Sequence, residues 1–389
     1  MEVLADVKNA IFRVTFSVEG SFSSKLIIIE GVMPSMKGML YMKFKQQKRL
    51  GLALATALLA SPLVLSLPAG HAAAAVTKAK FSIIDQSFSI EGVKSNIGTI
   101  NSDGSTYIAL RNLNKALGLG TNFDKTTQVV TVTGHNRTIK LDLKNNTATL
   151  NGQVINGLQV ITQDNTSYLP LRSLLERMGY EITYTSGSKQ IGIKAIAENK
   201  LTIQAHSLSD NSGGKKRSVY YPVISGMGNT EVQTKINALL KQEAEKTMAL
   251  SSQHNEYDTI SNSNLKGAFE VTYNEKGKLS LYTYYSINSG GAHDLHSLVP
   301  HTFDLNTGNE FSLKDVTEGK TNYVTIINDQ IKKQIKDRKL DVITPFKTIE
   351  ADRDFYLSHN GVVIYFTEGE LMGASLGFPR FVIPFSAFK

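Results

Sequence analysis

The chain of 389 residues contains no cysteine, and that absence removes disulfide bridges, thiolate metal sites and a cysteine nucleophile together. Concentrated charge is also scarce. The formal net charge is +8, but the first 75 residues hold 8 Lys or Arg and 4 Asp or Glu, so 34 basic residues face 30 acidic ones from Val76 onward. The excess is scattered, with Lys215-Lys216-Arg217 as a short run. This argues against nucleic acid as a partner and leaves at most weak attraction to an anionic wall. Beyond the amino-terminal region, no segment has membrane-spanning length without charge.

Apolar residues make up 41% of the chain. They are spread along a length that exceeds one ordinary domain, so two domains with separate cores are expected. From Met42 the chain reads as an export signal: Lys43, Lys45, Lys48 and Arg49 form a basic start, Leu50 to Leu67 is apolar, and His71-Ala72-Ala73-Ala74-Ala75 supplies small residues for cleavage. Residues 42–75 are therefore expected to be a signal peptide, with a secreted mature chain starting near Val76. Export without cysteine points to a Gram-positive bacterium rather than a eukaryote, where exported domains often carry bridges. Retention of the apolar run as a membrane anchor is the alternative. Residues 1–41 precede a complete leader and read as a start assigned too early, or as a disordered extension.

Thr106 to Val132 and Ser167 to Ile193 align without a gap at a constant offset of 61. Tyr107 meets Tyr168, Leu110-Arg111 meets Leu171-Arg172, Gly118 meets Gly179 and Phe123 meets Tyr184, as expected of an internal duplication. Each copy predicts a strand (Tyr107 to Leu110; Tyr168 to Leu171), a helix and a glycine stop, then an alternating strand (Gln128 to Val132; Gln190 to Ile193). Leu113 and Leu117 share one face of the first helix; Leu174, Leu175 and Met178 share one face of the second. Thr138 to Leu143 and Thr147 to Val154 predict a hairpin through Asn145-Asn146. Arg111 and Arg172 are expected to hold local carbonyls or an acid rather than a ligand.

T-Y-I-A-L-R-N-L-N-K-A-L-G and S-Y-L-P-L-R-S-L-L-E-R-M-G resemble the V-P-L-R-x-x-x-E-x-L-G signature of the copper amine oxidase-like N-terminal, or stalk, domain of secreted Firmicute proteins. The resemblance covers residues 80–196, with departures at Ala109 and Lys115 of the first copy. It implies no oxidase chemistry here. That activity would need a tyrosine cofactor precursor in an Asn-Tyr-Asp/Glu setting, and Asn322-Tyr323 is followed by Val324.

Ala195 to Leu201 reads as a domain boundary, and Ser207 to Lys216 as a polar loop. A strand is expected over Ser218 to Ile224. Asn229 to Met248 predicts the clearest helix, with a capping box of Thr230 and Gln233 and an apolar face of Val232, Ile236, Leu239, Leu240 and Met248. Alternation predicts strands over Phe269 to Tyr273, Leu279 to Ile287, Leu298 to Leu305, Phe355 to Ser358, Val362 to Phe366 and Arg380 to Phe385. Turns are expected at Glu275-Lys276-Gly277 and Asn306-Thr307-Gly308. A second helix over Asn322 to Lys336 aims Tyr323, Ile326, Ile327, Ile331 and Ile335 at the sheet. The expectation is an α+β chain: a duplicated strand-helix-strand domain, then an antiparallel sheet packed by two helices.

The strand entering Ser289-Gly290-Gly291-Ala292-His293, the following H-T-F-D-L-N-T-G-N-E-F-S-L-K-D and the terminal G-F-P-R-F-V-I-P-F resemble the C-terminal domain of the lysozyme-sensing anti-sigma factor RsiV, found also in the peptidoglycan deacetylase PdaC. This resemblance covers residues 201–389. It implies recognition at the cell envelope, with lysozyme among the partners to consider. Where the family has aromatic residues before the terminal strand, this chain has E-G-E-L-M-G-A-S-L-G.

The ligand-binding surface is expected around Gly290, Gly291, His293, His296 and His301, because backbone N–H groups exposed by paired glycines, with imidazoles alongside, suit polar ligands. His293 is read as the hydrogen-bonding anchor of the glycine loop. A metal would need the three imidazoles to converge, usually with Asp294 or Asp304, and no metal or other cofactor is expected. Gly373-Ala374-Ser375-Leu376-Gly377 matches a nucleophile elbow but lacks the following helix, acid and histidine. Thr302-Phe303-Asp304 echoes a deacetylase motif whose second aspartate is here Leu305. Asp352/Asp354 and Glu368/Glu370 read as solvated carboxylate pairs. Together these features predict a non-catalytic, secreted envelope protein that binds a cell-wall polysaccharide or a wall-associated protein such as lysozyme. A sensor ectodomain and a peptidoglycan-modifying enzyme are the alternatives.

Overall fold

The computed structural model describes residues 80–252, 262–291 and 293–389. The expected leader at 42–75 and the segment 1–41 lie outside the described residues. No helix among those described is long and apolar enough to cross a membrane.

The first domain opens with β1 (Ile83–Ile90), β2 (Val93–Ser102), β3 (Ser105–Ala109), α1 (Leu110–Leu117), β4 (Gly120–Asp124) and β5 (Val129–Gly134). β6 (Arg137–Asp142), β7 (Thr147–Leu150), β8 (Gln153–Ile155) and β9 (Ile161–Gln163) lead into β10 (Thr166–Pro170), α2 (Leu171–Arg177), β11 (Tyr180–Thr185) and β12 (Gln190–Ala195). The repeated unit is thus β3-α1-β4-β5 and β10-α2-β11-β12. Both helices stop where a glycine takes a left-handed φ, 66° at Gly118 and 84° at Gly179. Arg172 donates to Glu176 at 2.8 Å and to the Ile182 carbonyl at 3.1 Å, the local role expected of it.

The copies separate in the sheets. β4 and β5 join a five-stranded sheet, β4-β5-β6-β7-β8, whereas β11 and β12 join a seven-stranded one, β11-β12-β1-β2-β3-β10-β9. β1 and β12, the first and last strands of the domain, run parallel, with Phe88 opposite Ile191. Phe88, Ile108, Leu113, Val130, Ile139, Leu169 and Leu174 form a core that draws on both sheets and both helices. Burial of each contributes roughly 1.5–3 kcal/mol.

The second domain comprises β13 (Thr202–Asp210), β14 (Arg217–Ser225), α3 (Thr230–Ser252), β15 (Asn264–Glu275), β16 (Lys278–Asn288), β17 (Leu295–Asp304), α4 (Leu313–Val316), α5 (Tyr323–Asp337), β18 (Phe355–Ser358), β19 (Gly361–Tyr365) and β20 (Arg380–Pro384). Its class is α+β as expected, but the strands divide into two sheets, β13-β14-β15-β16-β17 and β18-β19-β20. β14 and β15, joined through α3, pair in parallel from Arg217 and Leu265.

Alternation along the strands sorts the layers. Leu279 and Leu281 pack with Ile236 and Leu240 of α3. Tyr282 and Leu298, on the opposite face, pack with Tyr356, Val363 and Tyr365 of the smaller sheet. The other face of that sheet, through Leu357, Val362, Ile364, Phe381 and Ile383, packs on Ile327 and Ile331 of α5. The order is therefore helix, sheet, sheet, helix.

Close approaches demand glycine at two places. A Cβ on Gly361 would lie 2.1 Å from the Ile383 carbonyl oxygen, and one on Gly267 would meet Tyr285 at 2.8 Å and Val219 at 2.9 Å.

Three local expectations are corrected. Ser207 to Asp210 is strand, paired with Arg217 to Tyr220, because an edge strand takes its hydrogen bonds from the backbone and tolerates polar side chains facing water. Thr147 to Val154 is broken by a turn at Asn151-Gly152, with φ of 48° and 98°. Helix α3 is capped by Asn229, whose side chain accepts from the Glu231 and Val232 amides, while Gln233 accepts from Met227.

The two domains are joined by side-chain amides bonded to main chain. Gln153 donates to the Phe269 carbonyl at 2.8 Å and accepts from its amide at 3.0 Å. Asn151 donates to the Ile203 carbonyl, and Asn199 donates to the Lys278 carbonyl and accepts from the Gly277 amide.

Candidate functional site

The window that carries the functional expectation forms the tip and second strand of the β16-β17 hairpin. Gly290, with φ of 101°, and Gly291 lie exposed at the tip, and a Cβ built on Gly290 meets nothing within 4 Å. His293 is exposed, and no hydrogen bond of its side chain occurs among the described residues. The anchor is its neighbour. Asp294 accepts from Ser286 at 2.8 Å and from Asn288 at 2.6 Å, and Asn288 in turn accepts from the Gly290 amide at 3.0 Å. The Asn288 and Ser286 hydrogen bonds hold the Asp294 carboxyl below its ordinary range. Among the described residues it is Asp294 that ties the tip to β16, as a carboxylate can accept from several donors at once.

His296 and His301 lie five residues apart on β17, so they face opposite sides of the sheet. β17 begins at Leu295, which places His296 on a strand rather than in the preceding loop. On the side of the smaller sheet, His296 meets Glu368 at 2.8 Å and stacks on Tyr284, with ring centroids 5.3 Å apart. Phe378 meets the same tyrosine edge-on at 6.2 Å. Burial first, then the Glu368 and Asp294 charges, push the Tyr284 hydroxyl's pKa up.

On the helix side, His301 is 7% exposed and lies between two carboxylates, Glu243 of α3 at 2.6 Å and Glu310 at 2.8 Å. Burial alone would lower its pKa, but the hydrogen bonds and charges of the two glutamates outweigh that and raise it to about 9. The imidazolium donates from both nitrogens. Glu243 also accepts from Tyr285 at 2.7 Å. The three histidines consequently do not meet at one point. Gly290, Gly291 and His293 stay together at the tip, His296 lies on one face, and His301 is buried beneath the other.

The other motifs resolve into local structure. Ala374–Leu376 is a short 3-10 turn that runs into β20 instead of a helix. Glu370 is gripped by both arms of Arg353, at 2.6 and 2.8 Å. Burial opposes ionisation of Glu370, yet the Arg353 contact holds its pKa below the ordinary value. Arg217, third in the basic run, is 2% exposed and donates to Asp210 and to the Ser251 carbonyl. Glu243, Tyr284 and Phe378 were not singled out from the sequence, and Glu368, read there as a solvated acid, is instead the partner of His296. Of the three, only Glu243 carries a signal there, as an acid next to Ala244 on the buried stripe of α3.

Comparison with known families agrees with this division of the chain. Residues 89–193 match the family described as copper amine oxidase N-terminal domain. Residues 215–296 match the family described as deacetylase PdaC, and residues 314–386 match the protein family of unknown function DUF3298. No curated protein matches the chain. Among solved structures, a DUF3298 family member from Bacteroides fragilis is 12% identical, covering 49% of this chain and 91% of its own, with a TM-score of 0.35. A DUF3298 family protein from Pseudomonas aeruginosa is 14% identical, covering 48% and 91%, with a TM-score of 0.36.

Proposed function

We propose that the chain is an exported, non-catalytic envelope protein in which the duplicated domain displays the second domain to a cell-wall component or a wall-associated protein. The matched families are associated with the cell envelope, which supports the location. One observation carries the reading of a binder. Most of the acids and imidazoles around the hairpin have partners within the fold: His301 with Glu243 and Glu310, His296 with Glu368, Asp294 with Ser286 and Asn288, and Glu370 with Arg353. A general acid or base must exchange protons with a substrate, and these groups spend their capacity inside the fold. The Gly290-Gly291-His293 tip is meanwhile exposed on a hairpin whose base is fixed by those same contacts.

The test is retention of the protein on purified peptidoglycan and on immobilised lysozyme, comparing wild type with Gly291→Val/His293→Ala. A Cβ at Gly291 meets only the His293 carbonyl oxygen, at 4.0 Å, so the double substitution alters the surface without crowding the hairpin. Reduced retention on either material supports the tip as the contact, and equal retention on both discards it. Release of sugars or peptides from peptidoglycan, abolished by neutralising one carboxylate, would replace the binder with an enzyme.

A further inference from the structure

Counted by segment, charge is less evenly spread than the net figure for the chain implies. Residues 201–389 hold 20 Lys or Arg and 21 Asp or Glu, yet residues 332–347 hold six and two. That stretch therefore carries +4 within a domain whose remainder carries −5. It runs from the second half of α5 into the segment that follows, on the outer layer of the domain.

Helical periodicity sorts these side chains. Ile327 and Ile331 turn into the core, so Lys332 and Lys336 lie on the outer face, one turn or about 6 Å apart along the axis. Lys339 follows just past the end of the helix. All three are exposed, and none has an ion-pair partner among the described residues. Lys333 is paired with Asp337, and Asp329 and Asp341 are the nearest other acids in the sequence. The helix dipole accounts for Lys336, in the last turn, but not for Lys332 or Lys339, which lie before and beyond it.

The donors on this face select charge density rather than shape. An ammonium is a point charge on a flexible stem, whereas a single phosphate or carboxylate is gripped by the fork of an arginine. The arginine here is occupied: Arg338 donates to the Arg380 carbonyl at 3.1 Å and lies over the Phe381 ring at 5.5 Å. A lone anion would meet one lysine at a time. A chain with a charge on every repeat engages several, and the counterions released drive the association. A bilayer surface suits the face less well. Helices that lie on membranes bury an apolar face there, and that face of α5 is already used in the core. Ile343 is the one large apolar side chain exposed in residues 332–347.

We propose that the lysine face of α5 docks a linear phosphodiester polymer of the cell wall. Lysine binds phosphate as a point charge, and a diester keeps its charge at any physiological pH. The inference rests on the reading of the chain as a wall-binding protein and adds a second contact, apart from the hairpin tip.

The experiment titrates the full chain at low salt with purified poly(glycerol phosphate) and, in parallel, with phosphatidylglycerol vesicles. Retention on phosphate-free peptidoglycan and on immobilised lysozyme is measured on the same preparations. Wild type should bind the polymer, and more weakly as salt is raised. Lys332→Gln/Lys336→Gln/Lys339→Gln should weaken binding at least about tenfold. Lys94→Gln/Lys125→Gln/Lys144→Gln removes the same charge from exposed positions of the first domain; it and Gly291→Val/His293→Ala should each change binding by less than about twofold. All six lysines are exposed, so folding is not in question. Equal loss in the two triple variants, or no loss in the first, overturns the site. Binding to the vesicles but not to the polymer overturns the occupant in favour of a membrane. If wild type is retained on peptidoglycan or lysozyme but does not bind the polymer, the α5 face falls while the contact at the tip stands. If it binds the polymer through α5 but is retained on neither material, the α5 face stands and the contact at the tip falls.

Discussion

The clasp around His301 makes stability depend on pH in a direction that can be worked out. Its imidazole has an ordinary pKa of 6.5 and is raised to about 9 in the folded chain, where Glu243 and Glu310 hold both nitrogens. Between those values the folded chain retains a proton that the unfolded chain has released. The stabilisation is therefore complete below 6.5, declines as pH rises, and is gone above about 9. At about 1.4 kcal/mol for each pH unit, the clasp contributes on the order of 3 kcal/mol. Urea unfolding followed by far-ultraviolet circular dichroism, on wild type and His301→Gln at about pH 6 and about pH 10, isolates this contribution from other groups that titrate in base. Wild type should exceed the variant by roughly 3 kcal/mol at the lower pH and by little or nothing at the higher. An equal difference at both pH values would refute the account, because a purely steric role for His301 does not titrate.

Three further substitutions follow from the packing. Gly361→Ala places a methyl group 2.1 Å from the Ile383 oxygen and should cost at least about 3 kcal/mol, read from the shift in thermal midpoint. Gln153→Ala leaves the amide and carbonyl of Phe269 without their partner; a loss of about 2 kcal/mol and faster proteolysis between Ala195 and Leu201 are expected. Arg353→Leu strands Glu370 and should destabilise by roughly 3 kcal/mol at neutral pH, with partial recovery in acid as that carboxylate is protonated.

Much of the fold was legible because periodicity records which face of an element is buried. The offset of 61 placed α1 and α2 correctly, and Ile327 and Ile331 announced the buried side of α5. Periodicity does not say which strands pair. The seven expected strands of the second domain alternate alike whether they form one sheet or two, and the division follows from tertiary contacts between Tyr282, Leu298 and Tyr356. The β1-β2 hairpin escaped notice because its outer positions, Ile83, Ile84 and Val93, are exposed and apolar, which blurs the alternation that marks a strand. At the candidate site the glycines and histidines were visible, but their partners were not. Glu368 lies 72 residues from His296, and Glu243 lies 58 residues from His301. No local spacing encodes such pairs.

The side-by-side parallel arrangement of β1 and β12 governs how the first domain answers tension. Those strands stand at its entry and its exit, so drawing the chain taut slides one along the other, and the rungs between them must give way together in shear. Antiparallel neighbours joined by a turn would instead unzip one rung at a time. Whatever pulls on the chain, the route to rupture of this domain begins at Phe88 and Ile191.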